Sequence, residues 1–106
     1  MRHQTSVGIC AGLLLLTCAA GAWASEGADL YKARMCHTCH GEDGTHPITQ
    51  DYPVLAGQPV KYLVRQMKDI RDGRRTNGLT ETMRAAVSTV TDHEFQIIAE
   101  WLASRW

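Results

Sequence analysis

Cysteine and histidine crowd residues 35–46, and this short segment most constrains what the chain can fold into. Its sequence, MCHTCHGEDGTH, holds two cysteines, three histidines and two glycines in twelve positions. Cys36 and Cys39 stand three residues apart, and His40 follows directly. Side chains of these types hold a metal ion, form a disulfide or attach a larger cofactor, and each outcome demands different surroundings.

Residues 1–24 have the layout of a secretory signal peptide. Arg2 lies in a short positive start, an apolar run occupies 7–20, and small residues form an A-x-A site that ends at Ala24. This order of charged, apolar and small residues is typical of exported proteins. We therefore predict cleavage after Ala24, a periplasmic location and a mature domain over 25–106.

Two other interpretations of the same segment predict attachment to a membrane. An uncleaved anchor would need about 20 apolar residues to span the bilayer, and the run is shorter. Lipid attachment at Cys18 would require a lipobox, in which Thr17 is a poor residue before the cysteine. We expect no membrane insertion of the mature chain, and a lipid anchor at Cys18 is the weaker alternative.

The charge of the predicted mature chain argues against two classes of partner. The full sequence has 11 Lys and Arg residues and 11 Asp and Glu residues, so the loss of Arg2 leaves a net charge of about −1. Nucleic-acid binding needs a basic patch or stripe, and a polybasic membrane tether needs clustered Lys and Arg. We therefore expect neither nucleic acid nor an anionic membrane surface as a partner.

The predicted mature chain is too small to build a large core from its own side chains. Removing 24 of the 106 residues leaves 82, with one Phe and two cysteines. Domains near 60 residues bury only about 60% of the surface that the unfolded chain exposes. Small exported domains usually compensate with several disulfides or a metal. Since two cysteines allow one disulfide at most, a large apolar cofactor would supply the missing core.

Apolar periodicity predicts an all-α domain with three main helices and long loops. Residues 25–36 form a short predicted helix that enters the CxxC segment, and Gly and Pro make 40–58 mostly loop. The strongest predicted helix occupies 59–73, with Pro near its start and Gly at its end. A capping-box spacing opens an amphipathic helix over 91–106. Between them, 83–87 predicts a short helical turn.

Zinc, a redox-active pair and a structural disulfide all fit the CHTCH sequence poorly. A structural zinc site needs four ligands, yet the sequence has no second CxxC, and His46 and His93 lack the spacing of a ligand pair. A thioredoxin-like pair needs a βαβ setting. A disulfide between Cys36 and Cys39 would close a loop too short to contribute much stability. These alternatives stay open at lower weight.

The same five residues match the attachment motif of c-type haem. Two thiols at this spacing add across the two vinyl groups of haem, so Cys36 and Cys39 would become thioethers. His40 would then lie beneath the iron as the proximal ligand. The predicted export, the pair of mature cysteines and the missing core volume favour this interpretation. We predict one covalently attached haem c.

A sixth iron ligand must come from elsewhere in the chain, or the site stays open. Met83 follows a turn-rich loop 43 residues beyond His40, which leaves enough chain to reach the opposite face of the haem. Its alternative role is that of an ordinary buried apolar residue, as is usual for a methionine such as Met67 on an apolar helix face. The full set of candidates is Met35, His46, Met67, Met83 and His93.

Three segments resemble the small bacterial class I cytochromes c of the c4/c553-like subgroup: Cys36–Gly44, Pro53–Arg75 and Met83–Ala103. Together they cover nearly the whole predicted mature chain. The resemblance implies a cytochrome c fold, with three to four helices and loops wrapped around one covalently attached haem. It also implies that the first and last helices cross.

The resemblance assigns roles to five residues by position. Cys36 and Cys39 would bind the haem, and His40 and Met83 would be the axial ligands of the iron. Pro53 matches a proline whose carbonyl accepts a hydrogen bond from the ring N–H of His40, which would fix the orientation of the imidazole. The alternative for Pro53 is an ordinary loop proline.

Haem also carries acidic propionate groups, which pair with polar or cationic side chains. Tyr62, Arg71 and Arg74 are candidate partners in this chain. The alternative for the two arginines is simple solvation, since Arg is mostly exposed in proteins.

The predicted function is periplasmic one-electron transfer in a respiratory chain rather than enzymatic catalysis. A His and Met ligand pair fills both axial positions, and neutral thioether sulfur raises the reduction potential. Such a carrier would exchange electrons with redox partner proteins. Two alternatives remain. One is a cytochrome subunit of a dehydrogenase or oxidase complex, and the other is a haem sensor or enzyme with a labile sixth ligand.

Overall fold

Helices account for all the regular secondary structure in the computed structural model, which describes Gly8, Gly12 and residues 20–105. No strand occurs among these residues, and the predicted all-α class is confirmed. In chain order the helices are α1 (Ala20–Ala33), α2 (His37–His40), α3 (Val60–Arg71), α4 (Thr80–Val87) and α5 (Asp92–Ala103). The three main helices of the prediction are α1, α3 and α5, α4 contains the helical turn predicted over 83–87, and the short α2 is an addition.

α1 begins at Ala20, five residues before the predicted start at Ser25. It therefore runs through the proposed cleavage site after Ala24, and cleavage stays a prediction. Most of the predicted signal peptide, including Arg2 and Cys18, lies outside the described residues. Over the ranges that are described, no helix is both long enough and apolar enough to cross a membrane.

α1 and α5 cross in direct contact. A Cβ atom on Gly27 of α1 would lie only 2.3 Å from the Cβ atom of Trp101 on α5, far inside the usual separation of two carbon atoms. The two backbones can approach this closely only because Gly27 has no side chain. One turn further along α1, the Tyr31 ring packs against the Trp101 ring with 5.0 Å between centroids. The predicted crossing of the first and last helices is present.

α3 forms where the periodicity predicts it. Its buried residues, Leu63, Met67 and Ile70, follow the expected apolar stripe. Pro59 precedes the first turn, and Gly73 follows the last with a left-handed φ of 76°. α3 packs against both α4 and α5, so its apolar stripe becomes part of the core.

α5 begins with the predicted cap, because the Thr91 hydroxyl accepts a hydrogen bond from the N–H of Glu94 at 3.1 Å. The helix lies against α1 and α3 together. It therefore buries more than the single apolar face that its sequence predicts. Its buried residues are Phe95, Ile97, Ile98, Ala99, Trp101 and Leu102.

α4 is longer than the helical turn predicted over 83–87. It spans eight residues and buries Thr80 and Val87. The Thr80 hydroxyl bonds to the carbonyl of Asn77 just before the helix, which helps to set where α4 begins. Met83 consequently lies within a helix rather than at the end of a loop.

Candidate haem site

A cavity of about 420 Å³ lies between α3, α4, α5 and the segment 34–58. This volume falls in the range of roughly 300–1,000 Å³ that is usual for cofactor and ligand pockets. Cys36, Cys39 and His40 lie on its wall, and so does Met83. The remaining wall is mostly apolar and includes Leu55, Leu63, Met67, Ile70, Val87, Val90, Phe95, Ile98 and Leu102.

α2 brings the two cysteines to the cavity wall. It is a single helical turn, in which the N–H of His40 donates to the carbonyl of Cys36 at 3.1 Å. Residues three apart in a helix lie on the same side, so the CxxC spacing directs both thiols to one place. Both are free and half-buried, and burial raises the pKa of Cys36 to about 11. The unattached Cys36 thiol is therefore protonated at neutral pH.

The alternatives to haem attachment gain no support from this arrangement. Within the part of the chain that the structure describes, no group of three or more His, Cys, Asp or Glu side chains is placed to hold a metal ion. His46 and His93 are exposed and lie off the cavity wall. Cys36 and Cys39 are not joined to each other.

The turn from α1 into α2 depends on the left-handed backbone of Met35, which has a φ of 62°. Its N–H donates to the carbonyl of Lys32 at 3.0 Å, and the N–H of Cys36 donates to the carbonyl of Tyr31 at 3.0 Å. These two bonds define a Schellman motif, with Met35 at the position where glycine is usual. The chain turns sharply there and brings Cys36 to the cavity.

His40 is buried on the cavity wall with 5% of its surface exposed. Its Nδ1 lies 3.0 Å from the carbonyl oxygen of Pro53. A carbonyl can only accept, so Nδ1 carries the proton and Nε2 keeps its lone pair. Burial lowers the pKa of the ring, and the Pro53 hydrogen bond opposes that shift only in part. A neutral imidazole with a free Nε2 is the form that binds iron.

The loop after α2 brings Pro53 to His40. Gly41 has a φ of 85°, and a Cβ atom there would lie 2.1 Å from the carbonyl oxygen of His46, so the loop closes on itself at a point that only glycine permits. Further on, the N–H of Leu55 donates to the carbonyl of Gly44 at 2.9 Å. This returning segment carries the Pro53 carbonyl to the imidazole.

Three of the five candidates for a sixth ligand lie on the cavity wall, and all three are methionines. Met67 on α3 is buried, Met83 on α4 is half-buried, and Met35 is 55% exposed. His46 and His93 therefore drop out as candidates for the sixth ligand, and the candidates that line the cavity are the three methionines.

Comparison with known proteins identifies the family. Residues 22–102 match the family model described as cytochrome c oxidase, cbb3-type, subunit III. This match covers most of the chain and includes the CxxCH segment. The chain belongs to this cytochrome c family. A solved structure, reduced recombinant cytochrome c4 from Pseudomonas stutzeri, matches this cytochrome with a TM-score of 0.70 and 26% identity over 81% of the chain and 50% of the solved one.

Curated relatives agree with the structural match. Cytochrome c4 of Pseudomonas aeruginosa is 40% identical over 94 residues, which cover 89% of this cytochrome and 43% of the relative. The thiosulfate dehydrogenase electron acceptor of Stutzerimonas stutzeri is 32% identical over 99 residues, which cover 87% of this cytochrome and 44% of the relative. The chain thus spans less than half the length of these relatives. The predicted resemblance to c4-like class I cytochromes, and with it the cytochrome c fold, is confirmed.

The cofactor of this cytochrome is haem c, as in its family. The cavity wall fits that group in three respects. Two thiols stand at the CxxC spacing, a neutral imidazole follows them, and the remaining wall is mostly apolar. The individual roles of Cys36, Cys39, His40, Met83 and Pro53 remain predictions.

Neither arginine predicted to pair with the propionates lies on the cavity wall. Arg71 pairs with Asp72 at 2.9 Å and with Asp92 at 2.7 Å. Arg74 is mostly exposed and pairs with Asp69 at 3.0 Å. Both side chains thus lie off the cavity wall and pair with aspartates, and nothing in this arrangement supports them as propionate partners.

Tyr62 does lie on the wall, together with polar residues that sequence reasoning missed, among them Gln66, Arg75 and Asn77. Gln66 follows Leu63 by three positions, so the helical period places it beside the apolar stripe of α3. This spacing could have identified Gln66 from the sequence. Arg75 has no such signal, because its direction depends on the left-handed turn at Gly73.

Proposed function

We propose that this chain is a periplasmic one-electron carrier in which Cys36 and Cys39 bind haem c and His40 and Met83 are the axial ligands. One observation carries the proposal. The CxxCH residues and a thioether converge on one mostly apolar cavity of about 420 Å³. Protein ligands on both axial positions suit electron transfer, because no substrate can then reach the iron.

Haem c supplies a one-electron iron couple, and the residues of the chain hold, orient and insulate it. The Pro53 carbonyl holds the His40 ring through Nδ1, which would leave Nε2 free to bind the iron. Buried side chains such as Leu63 and Ile70 exclude water from the wall. The thioether of Met83, a soft neutral donor, would favour ferrous over ferric iron and so raise the potential.

Redox partners would dock on apolar side chains at the edge of the cavity. Met35, Tyr62 and Leu79 lie on its wall and are each at least half exposed. Electron-transfer encounters bury less than about 1,200 Å², so a small apolar patch on a nearly neutral chain is sufficient. We infer brief complexes with periplasmic electron donors and acceptors.

The alternative role is that of a dedicated electron acceptor for one dehydrogenase. It is favoured by the relatives named thiosulfate dehydrogenase electron acceptor. The two roles share the same haem site, and they differ in whether the complex with the partner persists.

Carbon monoxide binding tests the axial ligands. We expect the reduced wild-type protein to keep an unchanged low-spin spectrum under carbon monoxide, because both axial positions are filled. Met83→Leu should bind carbon monoxide promptly. Met67→Leu is the matched control, since Met67 also lies on the cavity wall, and should behave like wild type. Prompt binding by the wild type at neutral pH would refute His/Met ligation, and binding by Met67→Leu alone would move the sixth ligand to α3.

Recovery of partners from periplasmic extract separates the two roles. A free carrier should be captured without any stoichiometric partner and should be reduced by several donors. A dedicated acceptor should retain one dehydrogenase through washing, and thiosulfate should reduce it in the extract if the relatives share their donor. The intact mass of the protein in the same fraction should equal residues 25–106 plus one haem, which tests export and cleavage.

A further inference from the structure

One polar cluster on the cavity wall is centred on the guanidinium of Arg75. Its Nη1 donates to Oε1 of Gln66 at 3.2 Å, and its Nε donates to Oδ1 of Asn77 at 3.3 Å. All three residues lie on the wall of the haem cavity. The backbone of Arg75 is fixed as well, because its N–H donates to the carbonyl of Asp69 at 3.0 Å. Two neutral amides therefore orient a cation at the cavity.

Two arginines, Arg34 and Arg75, lie on the described cavity wall, and they differ in whether a carboxylate pairs with them. Arg34 gives two N–H groups to the carboxylate of Glu94, at 2.8 and 2.7 Å, so its charge is already compensated. Within the described part of the chain, no carboxylate pairs with Arg75. A guanidinium has five N–H donors, and the two amides use two of them. Arg75 therefore keeps donors and a full positive charge for a ligand.

The other titratable groups on the wall leave Arg75 as the available cation. Tyr31 is neutral, because burial raises its pKa and its hydroxyl donates to the carbonyl of Gly41. The ring of His40 is committed to Pro53. Asp51 is an exposed acid at the edge of the wall and makes no ion pair with Arg75. The remaining titratable wall residues are Cys36, Cys39, Tyr52 and Tyr62.

We propose that Arg75, positioned by Gln66 and Asn77, binds a propionate carboxylate of the haem and thereby tunes its reduction potential. The inference rests on the proposed function in requiring a bound haem, and it replaces Arg71 and Arg74 in that role. A guanidinium matches a carboxylate through two parallel N–H groups. Arg75 also stabilises the ferrous state, because reduction removes one positive charge from the haem near a fixed cation.

The test is the reduction potential measured as a function of pH by optical titration. Relative to wild type, Arg75→Gln should lower the equilibrium constant for reduction by on the order of tenfold above neutral pH, and tenfold is about 59 mV for one electron. Its potential should also rise on acidification, because a carboxylate without its guanidinium takes up a proton at higher pH. The wild-type potential should stay flatter over the same range.

Arg74→Gln is the matched control, since it removes a neighbouring cation that lies off the cavity wall. Its curve should follow wild type. Arg75→Lys should restore part of the potential, and Gln66→Leu should shift it in the direction of Arg75→Gln by a smaller amount. If Arg75→Gln does not fold, the potentials of Arg75→Lys and Gln66→Leu still test the role of Arg75. Curves that all coincide with wild type would overturn the assignment of Arg75.

Failure of this inference can be told apart from failure of the proposed function. The absorption spectrum of each sample reports whether covalent low-spin haem is present before any potential is measured. A wild-type protein without covalent haem would overturn both proposals. A wild-type protein with low-spin haem, together with Arg75 variants of unchanged potential, would overturn only the role of Arg75.

Discussion

Met35 has a backbone conformation that favours glycine, and its side chain lies at the edge of the haem cavity. Its φ of 62° belongs to the left-handed region, which costs a residue with a Cβ atom roughly 1–2 kcal/mol. The side chain is 55% exposed, so packing in the core offsets little of that cost. The sequence hides this turn, because a glycine would have marked the end of α1 and a methionine does not.

We expect Met35→Gly to fold at least as stably as wild type, and Met35→Val to lose about 1–2 kcal/mol in free energy of unfolding. Glycine adopts positive φ freely, whereas a β-branched side chain there is strongly disfavoured. Denaturant unfolding of the two haem-loaded variants at one pH measures the difference. Equal losses in both would mean that contacts of the side chain, rather than the backbone, decide stability at this position.

The crossing of α1 and α5 depends on the absence of a side chain at Gly27. Because an added Cβ atom would meet Trp101 Cβ at 2.3 Å, the two helices would have to move apart. That movement would also disturb the contact between the Tyr31 and Trp101 rings. The close approach therefore couples the segment before the haem motif to the last helix.

Gly27→Ala should lower the free energy of unfolding by about 1–3 kcal/mol, as overpacking of a filled contact usually does. Glu26→Ala, at the exposed neighbouring position on the same helix, is the matched control and should change stability little. Thermal unfolding of both haem-loaded variants measures the effect. A Gly27→Ala variant as stable as Glu26→Ala would show that α1 and α5 can separate at little cost.

α3 and α5 are joined by Arg71, which stands between the two helices. It donates to the carbonyl of Val90 at 3.1 Å and pairs with Asp92 at 2.7 Å. Its guanidinium also lies over the Phe95 ring, 5.1 Å from the centroid. Hydrogen bonds from Arg71, and then from Lys68, lower the pKa of Asp92. The end of α3 is thus held to the start of α5 by a charge that acid removes.

A carboxyl whose pKa is lowered by folding stabilises the protein above the unfolded value of about 3.9, and loses that contribution as pH falls through the folded value. We therefore expect the melting temperature of wild type to fall more steeply below about pH 4 than that of Asp92→Asn. Protonation of His40 affects both proteins and cancels in the comparison. Asp29→Asn, at an exposed site on α1, is the control and should retain the wild-type slope. Parallel curves for wild type and Asp92→Asn would exclude a contribution from this ion pair.

The molecule as a whole is organised around the volume that its cofactor fills. Without haem, the apolar side chains that line this cavity of about 420 Å³ would lose the packing contacts of the cofactor and would face water. Small domains have total stabilities of roughly 5–15 kcal/mol. We therefore expect the chain without haem to be much less stable in this fold.

The Cys36→Ser and Cys39→Ser double variant should consequently lose most of its helix signal in far-UV circular dichroism, because its haem is no longer attached. Thr38→Ser keeps both thiols and a hydroxyl between them, and it should retain both haem and helix content. A double variant that stays fully helical without any haem would mean that the helices pack by collapsing the cavity.

Local features of this fold can be predicted from the sequence, because they depend on residues only a few positions apart. The spacing of Cys36, Cys39 and His40 identifies the cofactor, and the stripe along α3 identifies a buried helix face. The cap at Thr91 marks the start of α5. Each of these follows from covalent geometry or from the period of a helix, and each appears in the structure where it is expected.

Residues that meet only through the fold could not be predicted in the same way. Gly27 faces Trp101 across 74 positions of sequence. Arg75 turns toward the cavity while its neighbour Arg74 turns toward Asp69, and no local pattern separates two adjacent arginines. The helical turn predicted over 83–87 is part of a longer helix, and its packing on α3 is a contact that no local pattern predicts.

The amino-acid order thus established the cofactor, the helical class and the thiol and imidazole positions, since the chemistry of CxxCH is complete within five residues. The path of the chain decided which polar groups line the cavity. It did so because side-chain direction at the end of α3 depends on the turn at Gly73 and on the aspartates that hold Arg71 and Arg74 away. Arg71 also pairs with Asp92, and that contact exists only once α3 and α5 have packed.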